Sequence, residues 1–252
     1  MGVNIVINPS HPEILALAQT LATEGVPQDA RLIYRARNSV YALSLPDGTA
    51  VNIKAFRPPS APNAYIYRHL RKSKAERSYI NSMHLIRLGF GSPEPLAYIE
   101  ISHCGRLRES YYLSRQIEDA DDLRRWERKA DAEPLLRALA EEIKKMHRAG
   151  VLHKDFSPGN ILYRRTAAGY SFYLIDVNRM RFGVHSRQAQ LGMFAVVNID
   201  SEEETRRLAR YYGECAGIDP EMCAEHAAKL LRSYIHRKHR NKTLKKLLPK
   251  HK

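Results

Sequence analysis

One segment of the chain, residues 153–162, constrains the fold and the chemistry more than any other. It reads His-Lys-Asp-Phe-Ser-Pro-Gly-Asn-Ile-Leu, so the carboxylate of Asp155 is followed five positions later by the carboxamide of Asn160. Leu174-Ile175-Asp176 follows after the length of one short hairpin and adds a second carboxylate at the end of an apolar strand. A loop with this spacing can orient a hydroxyl nucleophile and hold a divalent metal ion during phosphoryl transfer. The pattern therefore favours a phosphotransferase.

Each piece has a simpler interpretation when it is taken alone. A His-x-Asp sequence is often a turn in which the carboxylate caps nearby backbone amides, and an asparagine before an apolar run is a common loop residue. The upstream order favours the catalytic interpretation, because kinase-type chemistry needs a strand lysine and a helix glutamate before this loop. Candidates for both are present.

A predicted hairpin supplies the lysine. Residues 40–45 are strand-like, Pro46-Asp47-Gly48 provides turn residues, and residues 50–56 resume an alternating pattern. Lys54 lies inside the second strand, in a setting close to the Val-Ala-Ile-Lys pattern whose lysine holds nucleotide phosphates. A solvent-facing strand lysine is the alternative.

A predicted helix supplies the glutamate. Helix-favouring sequence runs over residues 65–88 and stops at Gly89, a residue suited to a C-terminal cap. Glu76 lies on or beside the apolar face of this helix, because it shares helical spacing with Ile80, Met83 and Ile86. A carboxylate in that position needs a cationic partner. Lys54 is the candidate, and local pairing with Lys72, four residues earlier, is the alternative.

The remaining elements follow a consistent order. Residues 96–101 and 110–116 are predicted to pair as strands around Cys104-Gly105, and the backbone after Leu113 is the expected adenine-contacting hinge. A helix opened by Pro134 and ended by Gly150 is predicted from the spacing of Leu136, Leu139, Ile143 and Met146. An earlier helix is predicted between Ser10 and Gly25.

This order resembles that of the protein-kinase-like superfamily, and several segments are similar to the bacterial lipopolysaccharide kinases of the Kdo/WaaP, InaA-like family. The similarity covers most of the chain apart from about the first thirty residues and the tail. The segments that carry it are residues 37–40, 71–79, 92–95, 153–162 and 175–182.

The resemblance implies an α+β, protein-kinase-like bilobal fold in a single kinase-like domain. A small β-rich N-lobe would reach about residue 113, a larger helical C-lobe would cover residues 114–231, and residues 232–252 would form a basic tail. ATP would bind between the lobes. The implied reaction is ATP-dependent phosphorylation of a sugar hydroxyl, of Kdo or heptose, in the lipopolysaccharide inner core.

The resemblance also implies a role for each candidate site residue. Asp155 would accept or orient the proton of the acceptor hydroxyl. Asn160 and Asp176 would bind Mg²⁺, Lys54 would contact the ATP phosphates, and Glu76 would hold Lys54.

Departures from protein kinases bear on the acceptor. The segment expected to cover the phosphates, residues 36–39, has no glycine for close backbone approach, so Arg37 or Asn38 is the expected phosphate contact there. Asp176-Val177-Asn178 replaces Asp-Phe-Gly, and Ser157 stands where Ser/Thr protein kinases usually have lysine. These differences favour a small or glycan acceptor over a peptide. His153 is expected to brace the loop rather than to react.

Two other functional classes stay open. One is an atypical small Ser/Thr protein kinase that shares the catalytic loop. The other is a noncatalytic, basic binding module on a kinase-like scaffold, which the missing glycines allow and the presence of Lys54, Asp155, Asn160 and Asp176 disfavours. Nucleic acid is not an expected partner, because base-reading motifs are absent from the sequence.

The formal net charge of +14 is concentrated near the end of the chain. Residues 232–252 contain nine Lys or Arg and no Asp or Glu. Such a run is often only a solvated tail, but it can also contact an anionic membrane surface. Without a predicted signal or membrane-spanning run, and with three cysteines that lack metal-type spacing, we expect a cytoplasmic enzyme, peripheral at the inner face of the cytoplasmic membrane.

Overall fold

The computed structural model describes residues 1–60, 66–67, 71–124, 132–197 and 201–247, the last seven of these as backbone only. These residues form two units. The first comprises Met1–Asp119 with Asp176–Asn178, and the second comprises Ala120–Ile175 with Arg179–Lys252.

A six-stranded antiparallel sheet organises the first unit. Its strands lie in the order β1-β5-β6-β4-β3-β2. Strand β3 pairs with β4, and β5 pairs with β6 with register shifts between Pro95 and Ala97 and between Ile101 and Ser102; β6 pairs with β4 between the two hairpins. The strand bounds are β1 Gly2–Ile7, β2 Arg31–Arg35, β3 Ser39–Ser44, β4 Ala50–Phe56, β5 Pro95–His103 and β6 Arg106–Arg115.

The turns of these hairpins follow from local chemistry. Between β3 and β4, the Asp47 side chain accepts a hydrogen bond of 2.8 Å from the Thr49 amide, and Gly48 has φ of +83°. Between β5 and β6, Cys104 and Gly105 both have positive φ, the requirement of a tight two-residue hairpin turn. Both predicted hairpins are therefore confirmed.

Alternation along the strands gives the sheet two apolar faces. On one face, odd-numbered residues such as Val51, Ile53 and Ile99 pack with α1, Leu15–Thr23, which a 3₁₀ turn at Pro12–Ile14 precedes. The helix predicted between Ser10 and Gly25 is therefore confirmed. Strand β1, which the sequence did not predict, extends the sheet at its β5 edge.

The other face of the sheet is covered by α2, Lys74–Arg87. Phe56, Tyr98 and Tyr112 of the strands cluster there with residues of the helix, Ala75 and Tyr79. The predicted helix over residues 65–88 is confirmed from Lys74 onwards, and Gly89 ends it with φ of +82°. Ser73 caps the N-terminus of α2, and residues 71–73 are not helical although residues 66–67 are, so the predicted helix is interrupted before Lys74. Residues 65 and 68–70 of that prediction lie outside the described part of the chain.

The second unit is mainly helical. Its helices are α3 Ala132–Arg148, α4 Arg187–Leu191, α5 Glu202–Ala216 and α6 Pro220–Leu247. Its short strands form two small sheets, ordered β10-β9-β7 and β11-β8. Their bounds are β7 Asp121–Asp122, β8 Leu152–His153, β9 Ile161–Thr166, β10 Gly169–Leu174 and β11 Met180–Arg181.

The core of the second unit is built on α3. Its predicted apolar stripe is confirmed, since Leu136, Leu139, Ile143 and Met146 are all fully buried. Helices α5 and α6 approach closely at Gly213, where an added Cβ would lie 2.7 Å from Cα of Pro220. Helix α6 buries residues up to Leu231, and residues 236–240 are exposed.

Residues 248–252, the end of the predicted basic tail, lie outside the described part. Within the described residues, none of the helices combines the length and apolarity needed to cross a membrane.

Candidate active site

Lys54 lies on the face of the sheet that α2 covers. It occupies an even position of β4 between Phe56 and Asn52, and its register partner on β6 is Tyr112. The side chain is 15% exposed, and its Nζ lies 5.5 Å from the centroid of the Phe56 ring. Nζ pairs with Oδ1 of Asp176 at 2.7 Å. The lysine and the carboxylate predicted as site residues are therefore adjacent.

The predicted pair between Lys54 and Glu76 is not formed in this structure. Glu76 Oε1 pairs instead with Nζ of Lys72 at 3.2 Å, which is the local alternative. The physical reason is proximity along the chain, since residues four apart at a helix N-terminus meet without any long-range packing. In this structure Asp176 rather than Glu76 neutralises the ammonium of Lys54. The approach of Glu76 to Lys54 was predicted for an active-like state and stays a prediction.

Asp176 has an unusual backbone conformation. Its φ is +54°, a left-handed value that costs energy for a residue with a Cβ and that is often found at functional sites. The Asp176 carboxylate also accepts a hydrogen bond from the side-chain amide of Asn178. A carboxylate shared by Lys54 and Asn178 is held in a single orientation.

Two side chains of α2 hold the backbone that follows Asp176. Arg77 Nε donates to the carbonyl of Asn178 at 3.1 Å, and Asn81 Nδ2 donates to the carbonyl of Val177 at 2.7 Å. Neither Arg77 nor Asn81 is among the site residues predicted from the sequence. Their i, i+4 spacing places both residues on one face of α2, but the backbone carbonyls that they contact leave no signal in the sequence.

In the second unit, His153 braces the loop that carries Asp155. The imidazole is fully buried, its Nδ1 accepts the Asp155 amide at 3.1 Å, and its Nε2 lies 3.1 Å from the carbonyl of Ile175. These contacts require the neutral tautomer with hydrogen on Nε2, which has one donor and one acceptor. The contacts agree with the bracing role expected for His153, and the imidazole is too enclosed to reach a substrate.

Asn160 closes the same loop. Its Nδ2 donates to the carbonyl of Asp155 at 2.8 Å, while its own carbonyl accepts the Ile175 amide at 3.0 Å. The loop begins at Asp155 and ends with a 3₁₀ turn at Pro158–Asn160. Because the carboxamide nitrogen is used within the loop, the side-chain oxygen Oδ1 is the atom that can serve as a metal ligand.

The Asp155 side chain points to a half-exposed position beside an arginine. Its Oδ2 lies 3.6 Å from Nη1 of Arg179, and the two side chains are 39% and 57% exposed. An accessible carboxylate is the kind of group that can accept a hydroxyl proton, and the nearby guanidinium helps to fix its position. Arg179 is a third residue for which no role was predicted from the sequence.

The segment predicted to cover the phosphates connects β2 to β3. The amide of Ala36 bonds to the carbonyl of Asn38 at 3.1 Å, and Asn38 Oδ1 accepts the amide of Arg57 at 3.2 Å. Asn38 thus uses its side-chain oxygen to hold the backbone, whereas Arg37 is exposed. Of the two expected phosphate contacts, Arg37 is the accessible one.

The candidate metal-binding atoms are side-chain oxygens. Among the residues that the structure describes, three or more His, Cys, Asp or Glu side chains do not gather at any one point. Mg²⁺ in nucleotide enzymes needs only one or two protein oxygens, since substrate phosphates and water supply the rest. The carboxylate of Asp176 and the Oδ1 atom of Asn160 are each an oxygen ligand of the kind that Mg²⁺ prefers.

A match to a protein-family profile identifies the family of this chain. The profile of the lipopolysaccharide kinase (Kdo/WaaP) family matches residues 62–212, more than half of the chain. The chain belongs to this family. The family predicted from sequence is confirmed, and as a Kdo/WaaP family protein the chain is a kinase.

Solved structures show the fold of this Kdo/WaaP family kinase. WaaP, solved in complex with acyl carrier protein, is 17% identical with a TM-score of 0.61, over 94% of this chain and 98% of that chain. The Rio2 kinase from Chaetomium thermophilum is also 17% identical, with a TM-score of 0.50 over 90% of this chain and 78% of its own. Both likenesses confirm the predicted α+β, protein-kinase-like fold. No curated protein sequence matches the chain significantly.

The family match covers most, but not all, of the predicted site of this Kdo/WaaP kinase. Glu76, Asp155, Asn160 and Asp176 fall within residues 62–212. Lys54 lies before the matched range, as do Arg37 and Asn38. The structure connects Lys54 to the matched part through its ion pair with Asp176. The roles of all seven residues stay predictions, and family membership implies the use of ATP and Mg²⁺.

Proposed function

We propose that this kinase transfers the terminal phosphoryl group of ATP to a sugar hydroxyl, of Kdo or heptose, in the lipopolysaccharide inner core. The observation that carries the proposal is the closed loop from Asp155 to Asn160, with the hydrogen bond from Asn160 Nδ2 to the Asp155 carbonyl at 2.8 Å. Within that loop the Asp155 carboxylate stays accessible while the backbone is fixed. Family membership supports the sugar acceptor.

In this mechanism the protein supplies orientation and charge. Asp155 orients the acceptor hydroxyl and takes its proton as the oxygen attacks phosphorus. Lys54 contacts the ATP phosphates, with Arg37 as a further contact from the β2–β3 connection. Asn160 and Asp176 would hold Mg²⁺, which when bound would neutralise charge that develops on the transferring phosphoryl group.

The acceptor is proposed to be a glycan because the loop lacks protein-kinase features. Ser157 accompanies Asp155 at the position where a lysine is usual in Ser/Thr protein kinases, and its amide bonds to the Asp155 carbonyl at 2.7 Å. Lys154 and Arg179 flank Asp155 and make this end of the loop basic. A core glycolipid that already carries negative groups complements such a surface.

Two partners are proposed in addition to the acceptor. WaaP has been solved in complex with acyl carrier protein, so a carrier protein is one candidate. The inner face of the cytoplasmic membrane is the other, and the support is the exposed basic stretch Arg237–Arg240 of α6. Each Lys or Arg near an anionic surface contributes about 1 kcal/mol, so a few such residues suffice for reversible contact.

Mass spectrometry of the core glycolipid is the experiment that tests the acceptor. Cells that lack the gene should lose one phosphate on a defined core sugar, and plasmid-borne wild-type protein should restore it. The Asp155→Asn variant, which keeps the size of the side chain and removes its basicity, should not. Unchanged core phosphorylation in the deletion strain, together with transfer of phosphate to the kinase itself or to another protein, would show that the acceptor is a protein.

A further inference from the structure

Helix α2 presents a polar pair to the segment that carries Asp176. Arg77 and Asn81 lie four residues apart, and each donates to a main-chain carbonyl of that segment, at 3.1 Å to Asn178 and at 2.7 Å to Val177. Two successive peptide groups are therefore fixed to one face of one helix. Nothing in the proposed catalytic mechanism uses either side chain.

The two contacts act where the backbone most needs support. Asp176 has φ of +54°, and a residue with a Cβ keeps a left-handed conformation only when its surroundings enforce it. The carbonyls of Val177 and Asn178 directly follow this residue. Fixing the orientation of both peptide groups limits the backbone rotations through which Asp176 could relax to negative φ.

Arg77 is itself held in place. Its Nη1 donates to the carbonyl of Lys72 at 3.1 Å, and its guanidinium carbon lies 5.8 Å from the centroid of the Tyr67 ring. The guanidinium thus joins the N-terminus of α2 to the Asn178 carbonyl. A side chain fixed by several contacts loses little entropy when it orients another group, which is the requirement for preorganisation.

We propose that Arg77 and Asn81 are positioning residues which hold Asp176–Asn178 in the conformation in which the Asp176 carboxylate would bind the metal ion. The inference rests on the proposed function, because it assumes that Asp176 is a metal ligand. Neither side chain touches the reacting atoms. Their effect reaches the metal through the backbone of residues 177 and 178 and through the pairing of Asp176 with Lys54 and Asn178.

Metal affinity measured without the acceptor is the direct test. The variants are Asn81→Leu, which keeps the side-chain volume and removes the donor, and Arg77→Gln. Arg87→Gln is the matched control, because Arg87 is an exposed arginine near the other end of α2. Mn²⁺ is titrated into the full-length protein in the presence of a non-hydrolysable ATP analogue, and turnover and KM for ATP are measured separately.

We expect Asn81→Leu and Arg77→Gln each to weaken Mn²⁺ binding and lower turnover by roughly 10-fold, as loss of a group that orients a metal ligand typically does. KM for ATP should change by less than about threefold, because the substitutions leave binding of ATP in the ground state intact. Raised Mg²⁺ concentration should restore part of the turnover. Arg77→Lys, which keeps the charge and one donor, should lie between wild type and Arg77→Gln.

Thermal melting separates positioning from folding. If Asn81→Leu does not fold, Asn81→Ala, which also removes the donor, takes its place. Wild-type Mn²⁺ affinity in every folded variant overturns the inference, whatever happens to the acceptor assay. A wild-type protein that binds Mn²⁺ with nucleotide but phosphorylates no core sugar contradicts the proposed acceptor alone and leaves the inference standing.

Discussion

Single residues of the candidate site are held by unusually specific contacts. His153 is fully buried between the Asp155 amide and the Ile175 carbonyl, and the side-chain Nδ2 of Asn160 donates a hydrogen bond to the Asp155 carbonyl. These groups fix the backbone of the loop and leave the Asp155 carboxylate partly exposed. At this scale, therefore, removing a carboxylate should affect chemistry far more than stability.

Asp155→Ala should lower turnover by roughly 10²- to 10⁴-fold, the contribution typical of a general base. The measurement is phosphate transfer from ATP to core glycolipid by purified protein, with Asp29→Ala as a control for loss of an exposed carboxylate. Thermal midpoints of the two variants should agree with wild type to within a few degrees. Turnover of Asp155→Ala within tenfold of wild type would remove Asp155 from the catalytic set.

His147, away from the site, makes stability sensitive to acid. It is buried, its Nδ1 lies 2.9 Å from the hydroxyl of Tyr212, and burial lowers its pKa to about 4. The unfolded chain takes up a proton at an ordinary pKa near 6.5, whereas the folded protein does not until pH nears 4. This residue therefore reduces stability as pH falls from about 6.5 to 4.

The thermal midpoint of His147→Gln should consequently fall less between pH 7 and pH 5 than that of wild type, even if the variant is less stable at pH 7. Calorimetry at several pH values measures both slopes. Parallel slopes for the two proteins would show that His147 does not contribute to the acid sensitivity.

Two helices of this protein are stabilised by a serine side chain at the N-terminus. Helix α2 begins at Ser73, whose Oγ accepts the Glu76 amide at 3.0 Å, and α5 begins in the same way at Ser201, whose Oγ accepts the Glu204 amide at 3.1 Å. Helix α1 is anchored differently, through a side chain that precedes it. The same capping interaction therefore supports two helices, only one of which carries proposed site residues.

Ser73→Ala should destabilise the protein by about 1 kcal/mol, which is the usual cost of losing an N-cap. Ser201→Ala is the matched comparison and should cost a similar amount. Only Ser73→Ala should also lower turnover, because α2 carries Arg77 and Asn81. Equal turnover in the two variants at equal stability would show that the N-terminus of α2 does not influence the site.

Helix α1 is joined to the sheet by an ion pair that depends on pH. His11 Nε2 lies 2.9 Å from Glu94 Oε1, and hydrogen bonding to Glu94 raises the pKa of His11 while hydrogen bonding to His11 lowers that of Glu94. The contribution of His11 is complete below its unfolded pKa of about 6.5 and is lost as pH rises through its higher folded pKa. That of Glu94 is present above about 4.5 and is lost as pH falls through its lower folded pKa.

His11→Ala should therefore destabilise the protein more at pH 5.5 than at pH 8.5. Urea unfolding at the two pH values measures the difference, and Glu94→Gln should show the same trend. A destabilisation by His11→Ala that is larger at pH 8.5 would contradict the assigned direction of the His11 pKa.

At the scale of the whole molecule, the dominant property is the formal net charge of +14. Part of that charge lies on the exposed stretch Arg237–Arg240 of α6, whereas Leu231 and the residues before it on the inner face of α6 are buried. Removing the chain from Arg237 onwards thus takes away charge, and the residues up to Arg240 that it removes are exposed. Long-range attraction to an anionic surface should weaken with salt, because the Debye length is only about 8 Å at physiological ionic strength.

Truncation before Arg237 should reduce binding to vesicles that contain anionic lipid, and should reduce activity on lipid-linked acceptor while sparing ATP binding. Co-sedimentation at low and at physiological salt measures the effect. A triple Gln substitution of Arg237, Lys238 and Arg240 is the control that removes charge and keeps the length of the helix. Equal vesicle binding by truncated and full-length protein at low salt would favour the view of the tail as merely solvated.

The sequence alone determined the features that depend on neighbouring residues: the turn at Asp47-Gly48, the turn at Cys104-Gly105, the apolar stripe of α3 and the loop from Asp155 to Asn160. Turn chemistry and periodicity act over a few residues, so they can be recognised without the fold. The tertiary structure decided which charges meet. From the sequence, either Glu76 or Asp176 could have paired with Lys54. Packing placed Oδ1 of Asp176 2.7 Å from Nζ of Lys54, whereas Glu76 pairs with the neighbouring Lys72. The contacts of Arg77 and Asn81 with residues about a hundred positions later could not be predicted, because their targets are backbone carbonyls, which every residue possesses and no sequence pattern marks.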